Sequence, residues 1–323
     1  KCHTAGGMPE FVKNGGTVVV DGRGNTLTTG VGNMEPSNGF QCSTCHDEAA
    51  WPERYGIAQV TFPSGKSLSF AKDADGKNVA DDSNLCILCH QGRESSTSVN
   101  NYLRGKEDDT ADKSLSFKNV HYLGAGATVF GADAAGAYQY PDKEYFGQNM
   151  HASPTGAMNK CKDCHDVHAL EPKLEACATC HSNAAPEDIR MDPVDYDGDG
   201  DTKEGIAGEI QTLAEALFAE IQAYAETTAG TPIMYDSHSH PYFFVDADKN
   251  GEADTDADGA LVRYASFTPR LMRAAYNYQY SQKDPGAFVH NPKYVIQFLY
   301  DSIEDLGGDV SKYTRPEVPA PAE

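Results

Sequence analysis

The stretch Cys161-Lys162-Asp163-Cys164-His165-Asp166-Val167-His168, followed at Cys177-Ala178-Thr179-Cys180-His181 by a second Cys-x-x-Cys-His, decides how this chain folds. In that pattern two cysteines are spaced to form two thioether bonds to one porphyrin, and the adjoining histidine supplies an axial imidazole to its iron. Two further copies stand upstream: Cys42, Cys45 and His46 form one, and Cys86, Cys89 and His90 the other. The chain opens Lys1-Cys2-His3, which reads as the end of a fifth copy whose first cysteine would precede Lys1, so the sequence is expected to lack its true beginning. Of nine cysteines, eight fall inside complete motifs and the ninth, Cys2, is followed directly by histidine, leaving none for a disulfide framework. Zinc knuckles built from paired Cys-x-x-Cys do not explain the histidine after every pair. The expected cofactor is haem c: four from complete motifs and a fifth at Cys2 and His3.

A chain of 323 residues has length enough for a sizeable core, yet hydrophobic residues make up 39% and Gly and Pro number 30 and 17. With a mean hydropathy of -0.54 it is polar and rich in loops. Porphyrin faces are large and apolar and can replace missing side chains in a core. The expected fold is therefore haem-organised, mostly α and irregular loops, with a minor β component near the N-terminus and a core formed around stacked c-type haems. Folding should depend on haem. The formal net charge of -22 argues against nucleic acid and anionic membrane surfaces as partners. No apolar run approaches the roughly 20 residues of a membrane-spanning helix, and the sequence as read is expected to carry no leader peptide. Covalent haem attachment itself places assembly outside the cytoplasm, in the periplasm or at the cell surface.

Three regions are expected: 1–115 with short strands, 116–190 as a dense haem-pair segment, and 191–323 with acidic loops and helices supplying histidines. Val-rich Thr17–Val20, with turn signals at Gly24-Asn25 and Gly32-Asn33, and Ala58–Phe62 closed by Pro63 read as strands. Ile206, Ile210, Leu213, Leu217, Ile221 and Tyr224 recur at helical spacing and predict a helix over 206–226. Thr268-Pro269 and Asn291-Pro292 are helix start signals, and Arg315–Pro321 is an extended end, docked or disordered.

Electron-transfer haems usually carry a ligand on each side of the iron. Counting His3, five of the eleven histidines adjoin motif cysteines, which leaves His121, His151, His168, His238, His240 and His290. Six spare histidines for five haems is close to one for one. His168, three residues past His165, is badly placed for the same iron and is expected to serve a neighbouring haem. His238 and His240 alternate in Ser-His-Ser-His-Pro and would share one face of an extended strand. His238 is preferred as ligand and His240, constrained by Pro241, is its substitute.

Alternating carboxylates at Asp195, Asp197, Asp199 and Asp201, with Gly200 at the turn and Glu204 and Glu209 beyond, match the first half of an EF-hand-type calcium loop. Position twelve is Ile206 instead of glutamate. A second run, Asp246, Asp248, Asn250 and Asp254, repeats the pattern. Calcium is the expected ion, since carboxylates packed this tightly repel one another; without an ion both runs would be solvated acidic turns.

The four motifs, the segment Cys161–His181 and Phe288-Val289-His290-Asn291-Pro292-Lys293-Tyr294 resemble the multihaem c-type cytochromes of dissimilatory metal-reducing bacteria, including outer-surface and filament-forming members. The last of these segments also looks like a ligand-bearing element of octahaem oxidoreductase-type cytochromes. The resemblance implies bis-histidine haems within tunnelling distance and a role in periplasmic or extracellular electron transfer. Expected partners are other redox proteins, copies of the chain itself in a head-to-tail filament, or an extracellular acceptor such as a mineral or electrode. No catalytic residue is assigned. The competing expectation is a multihaem oxidoreductase of nitrogen or sulfur compounds with one open haem iron.

Overall fold

Three helices of the C-terminal half build the side-chain core of this protein. The computed structural model describes residues 4, 6–15, 18–20, 26–28, 31, 39–121, 123–151, 158–182 and 185–319. Cys2, His3 and the turn signals at Gly24-Asn25 and Gly32-Asn33 lie outside the described residues. In chain order the helices are α1 (Gly7–Lys13), α2 (Cys42–Cys45), α3 (Asp82–Ile87), α4 (Ser96–Leu103), α5 (Ala125–Phe130), α6 (Cys161–Cys164), α7 (Leu174–His181), α8 (Ile206–Thr227), α9 (Pro269–Gln282), α10 (Ala287–His290) and α11 (Pro292–Leu306). The strands form five short antiparallel pairs. These are β1 (Val18–Val20) with β2 (Thr26–Thr28), β3 (Val60–Thr61) with β4 (Ser67–Leu68), β5 (Ala71–Lys72) with β6 (Asn78–Val79), β7 (His165–Asp166) with β8 (Glu171–Pro172), and β9 (Ile233–Tyr235) with β10 (Phe243–Val245). Helices and loops with small sheets are the class expected from the sequence. The expected strand over Ala58–Phe62 shortens to Val60–Thr61, because the chain turns at Pro63 and pairs back through Ser67 and Leu68.

The helix starts follow their signals. Thr268 Oγ1 accepts the Leu271 N–H at 3.1 Å and Asn291 Oδ1 accepts that of Tyr294 at 3.3 Å, each with proline at the first helical position. The helix expected over 206–226 is α8, which packs on α9 and α11. Leu213, Leu217 and Ile221 of α8, Met272 and Tyr276 of α9, and Phe298 and Leu299 of α11 are fully buried. Each such aliphatic side chain contributes on the order of 2 kcal/mol by leaving water. Residues 136–140 are stitched to this core, Tyr276 donating to the Gly136 carbonyl at 2.7 Å and Asn277 bonding Tyr138 through both its donor and its acceptor. The C-terminal segment docks instead of leaving the surface: Arg315 pairs with Asp301, which is itself fully buried, and Gln297 donates to the Pro316 carbonyl.

His238 and His240 do not share a strand face as expected. They sit in the loop joining β9 and β10, where the Tyr242 N–H bonds the Ser239 carbonyl at 2.7 Å and turns the chain before any ladder can reach them.

Candidate haem-binding site

All four complete motifs begin at or near a helix, and none of their cysteines is in a disulfide. Cys42, Cys45 and Cys180 are exposed, while Cys86, Cys89, Cys161, Cys164 and Cys177 are half-buried. Helices α2 and α6 are single turns ended by His46 and His165 in extended backbone. The second motif is built differently, because α3 ends at Ile87 and the motif straddles the helix end. Cys86 lies in the last turn, whereas Cys89 lies beyond it, in a turn where its N–H bonds the Cys86 carbonyl at 3.1 Å. Cys89 also packs against the hydrophobic core, so this attachment point is more sheltered than the one at Cys42 and Cys45.

The His46 ring donates through Nδ1 to the Pro52 carbonyl at 2.7 Å, and His90 through Nδ1 to the Leu123 carbonyl at 2.9 Å. Since a carbonyl only accepts, the proton is on Nδ1, and Nε2 keeps its lone pair for a metal. Burial, then neighbouring His290 and His90, push His165 below its ordinary pKa, which keeps it neutral and fit to ligate.

Three motif histidines face a histidine from elsewhere in the chain. The His46 and His168 rings are parallel to within 1° with centroids 6.5 Å apart. His165 and His290 are 6.4 Å apart at 28°, and His151 and His181 are 6.2 Å apart at 83°. With metal–nitrogen bonds of about 2 Å and about 1.2 Å from nitrogen to ring centre, two imidazoles on opposite sides of one ion have centroids about 6.4 Å apart. The three pairs have centroid separations of that size, so these are the residues that would hold a haem iron. The ring beside His168 is that of His46, from the first motif.

For the remaining motif, His90 bonds Leu123, and Leu123 lines an open depression of about 390 Å³ together with Ser237, His238, Gln282, Lys283 and Pro285. His238 is exposed at its rim, with Nδ1 against Ser237 and Asp236. His240 is likewise exposed and lies 5.7 Å from the Tyr242 ring. His121 has a left-handed backbone, φ 73°, and its proximal counterpart in the expected fifth site, His3, lies outside the described residues.

Apart from Met191, Val194 and Leu261, the exposed large apolar side chains among the described residues lie on these same segments. Phe40 and Trp51 flank the first motif, Leu123 accompanies His90, Met150 and Val289 adjoin His151 and His290, and Val167, Leu170 and Leu174 lie between the third and fourth motifs. Trp51, 60% exposed, lies 4.9 Å from the His46 ring. Large apolar groups open to water beside each attachment point are the surface an apolar macrocycle would cover.

Charges fix how the motifs lie against one another. Asp82, at the start of the helix carrying Cys86, pairs with Arg54 behind the first motif and with Lys162 inside the third, the latter at 2.6 Å. Neighbouring Asp81 pairs with Lys160 at 2.6 Å, and Ser83 accepts the Cys161 N–H. Neighbouring Cys161, together with burial, pushes the Cys86 thiol well up.

Sequence reading missed Asp284 and Gly286. Both oxygens of Asp284, a buried carboxylate, accept His290 Nδ1–H at 2.9 Å, and a Cβ on Gly286 would come within 2.8 Å of the His290 ring. The signal was present in Lys283-Asp284-Pro285-Gly286, which reads as an ordinary turn until the ring above it is placed.

The acidic runs differ. Asp195, Asp197 and Asp199 offer oxygens within 4.8 Å of one another, as do Asp197, Glu204 and Glu209. Asp201 takes no part in either group and accepts the Lys203 N–H. Glu204 is pushed up to about 6 by burial and by Asp197 and the other acids around it. Asp246, Asp248 and Asp254 also converge, with Asn250 donating to Asp248.

Four Cys-x-x-Cys-His motifs are the attachment signature of c-type haem. Relatives are named for such haems: the chain is 27% identical to C-type polyheme cytochrome OmcB of Geobacter sulfurreducens, in strain DL-1 / KN400 and in strain ATCC 51573 / DSM 12127 / PCA alike, over 94% of this chain and 43% of that protein. It is 28% identical to C-type polyheme cytochrome OmcC of the latter strain, over 94% of this chain and 42% of the relative. The chain thus spans less than half the length of these curated relatives. No family model matches the sequence, and no solved structure matches it. Among the described residues no helix is long and apolar enough to cross a membrane.

Proposed function

We propose that the chain carries single electrons along a line of covalently held haems, each capped by histidine on both sides. The observation that carries this reading is the facing of His46 with His168, His165 with His290, and His181 with His151 at 6.2 to 6.5 Å. Haem iron supplies reversible one-electron chemistry when bound. The chain's part is to anchor, orient and shield. Cys42 with Cys45, Cys86 with Cys89, Cys161 with Cys164, and Cys177 with Cys180 hold the four macrocycles. Carbonyls of Pro52 and Leu123 and the carboxylate of Asp284 fix three ligand rings. We assign His238, on the depression lined by Leu123, as the partner of His90, with His240 in reserve, and His121 to the fifth site with Cys2 and His3.

Capping both faces leaves no iron position for substrate, which favours conduction over a catalytic role. Each facing pair joins a half-buried ring, His46, His181 or His290, to an exposed one, His168, His151 or His165, so every pair lies near the surface, where electrons can be exchanged. Partners are then other redox proteins or an acceptor outside the cytoplasm. The test is near-infrared magnetic circular dichroism of the oxidised protein. Every haem is expected in the bis-imidazole charge-transfer band, and a high-spin haem or a different axial pair at any of the four complete motifs overturns the reading.

A further inference from the structure

We propose that Asp195, Asp197, Asp199, Glu204 and Glu209 bind one calcium ion, which ties the 192–204 loop to the first turn of α8. Asp197 belongs to both converging groups, so the two groups adjoin at its carboxylate. Convergence alone decides nothing, since acidic turns are common. The second observation is Asp197 itself: it is 1% exposed, and its Oδ2 has no hydrogen-bond donor, as is also true of Glu204 Oε1. A carboxylate oxygen withdrawn from water with no donor is strongly unfavourable unless a cation meets it.

Charge balance points the same way. Buried Arg190 pairs with Glu209, whose other oxygen accepts the Tyr196 and Asp197 N–H groups at 2.8 Å. One guanidinium offsets one carboxylate, and Asp197 and Glu204 remain uncompensated. An all-oxygen site with several carboxylates on an adaptable loop suits calcium; magnesium is smaller and keeps its waters, and zinc takes nitrogen and sulfur. Glu204 and Glu209 also supply the acidic ligand that Ile206 cannot.

The second acidic run lacks this signature. Asp246 is as buried, but its two oxygens accept the Asn250 and Gly251 N–H groups at 3.0 and 3.1 Å, and Asp254 accepts that of Ala247. Its turn is self-satisfied. The first loop, in contrast, braces the α11 start: Asp192 pairs with Lys293 at 2.8 Å, three residues after His290, and Gly198 lies so close to the Lys312 carbonyl that a Cβ would stand 2.0 Å from it.

The haem-loaded full chain, stripped with a chelator and titrated with calcium by calorimetry, tests this. One calcium per chain is expected, with a higher melting temperature on binding and no comparable uptake of magnesium. Asp197→Asn and Glu204→Gln are each expected to weaken binding by at least about tenfold, and Asp246→Asn to leave it unchanged. Unaltered haem absorbance serves as the folding control, and Glu204→Gln, at a partly exposed position, decides the matter if Asp197→Asn does not fold. Absence of uptake by the stripped wild type, or loss with Asp246→Asn but not with Glu204→Gln, overturns the proposal.

Discussion

At His290 the ring is fixed from two sides: Asp284 holds Nδ1, and Gly286 leaves room for the imidazole where any side chain would strike it. A carboxylate on Nδ1 makes the ring a stronger donor to iron and favours the oxidised state. Asp284→Asn is therefore expected to raise the potential of one haem and leave the rest in place, as read by spectroelectrochemical titration. His168→Met makes a larger change of the same sign, on the order of 0.1 V for one haem, within the roughly 0.8 V that axial ligands command. No shift in either variant would mean that these residues do not address an iron. The histidines that meet were all singled out in the sequence, because each motif names its own histidine and the spare histidines are few. The pairing was not, because His46 meets His168 and His165 meets His290 only through long-range packing that no local pattern encodes. Nor does the shared spacing of the motifs reveal that Cys89 packs against the core while Cys45 stands exposed.

At the level of elements, the motif helices are too short to fix themselves, and ion pairs do it for them. Asp82 joins the segments of the first and third motifs, so Asp82→Ala is expected to destabilise the folded protein by about 1 kcal/mol, a modest effect for partly exposed pairs, with haem content unchanged. Thr268→Ala removes a buried cap and should cost about 1 to 2 kcal/mol, measured by denaturant unfolding. The cap was readable as Thr-Pro before a helical period; the Asp82 hub was not, since its partners Arg54 and Lys162 lie far away in the chain. Helix α9 also carries an acid-sensitive clamp. Hydrogen bonds from Arg273 and Arg270 hold Asp108 and Asp109 below the ordinary value of 3.8. Because the folded pKa is the lower one, their contribution is complete above 3.8 and is lost as pH falls through the folded values. Asp305, pushed up by burial beneath the same arginines, opposes them, so the acid loss is partial. Melting temperatures should fall below pH 4 less steeply in an Asp108→Asn, Asp109→Asn variant than in the wild type.

Across the whole molecule, two kinds of interior meet. The α8, α9 and α11 core is closed by side chains alone and was legible as periodic apolar residues between start signals. The motif-bearing segments instead expose Phe40, Trp51, Leu170 and Leu174, and their fold was legible only as cysteine spacing, since the apolar surface that completes them is not encoded as residues. The central claim is that histidines cap every iron. Carbon monoxide binding to the reduced protein tests it most directly. Wild type is expected to bind almost none, and His290→Ala to bind one per chain at the iron it uncaps; stoichiometric binding by the wild type would contradict the account.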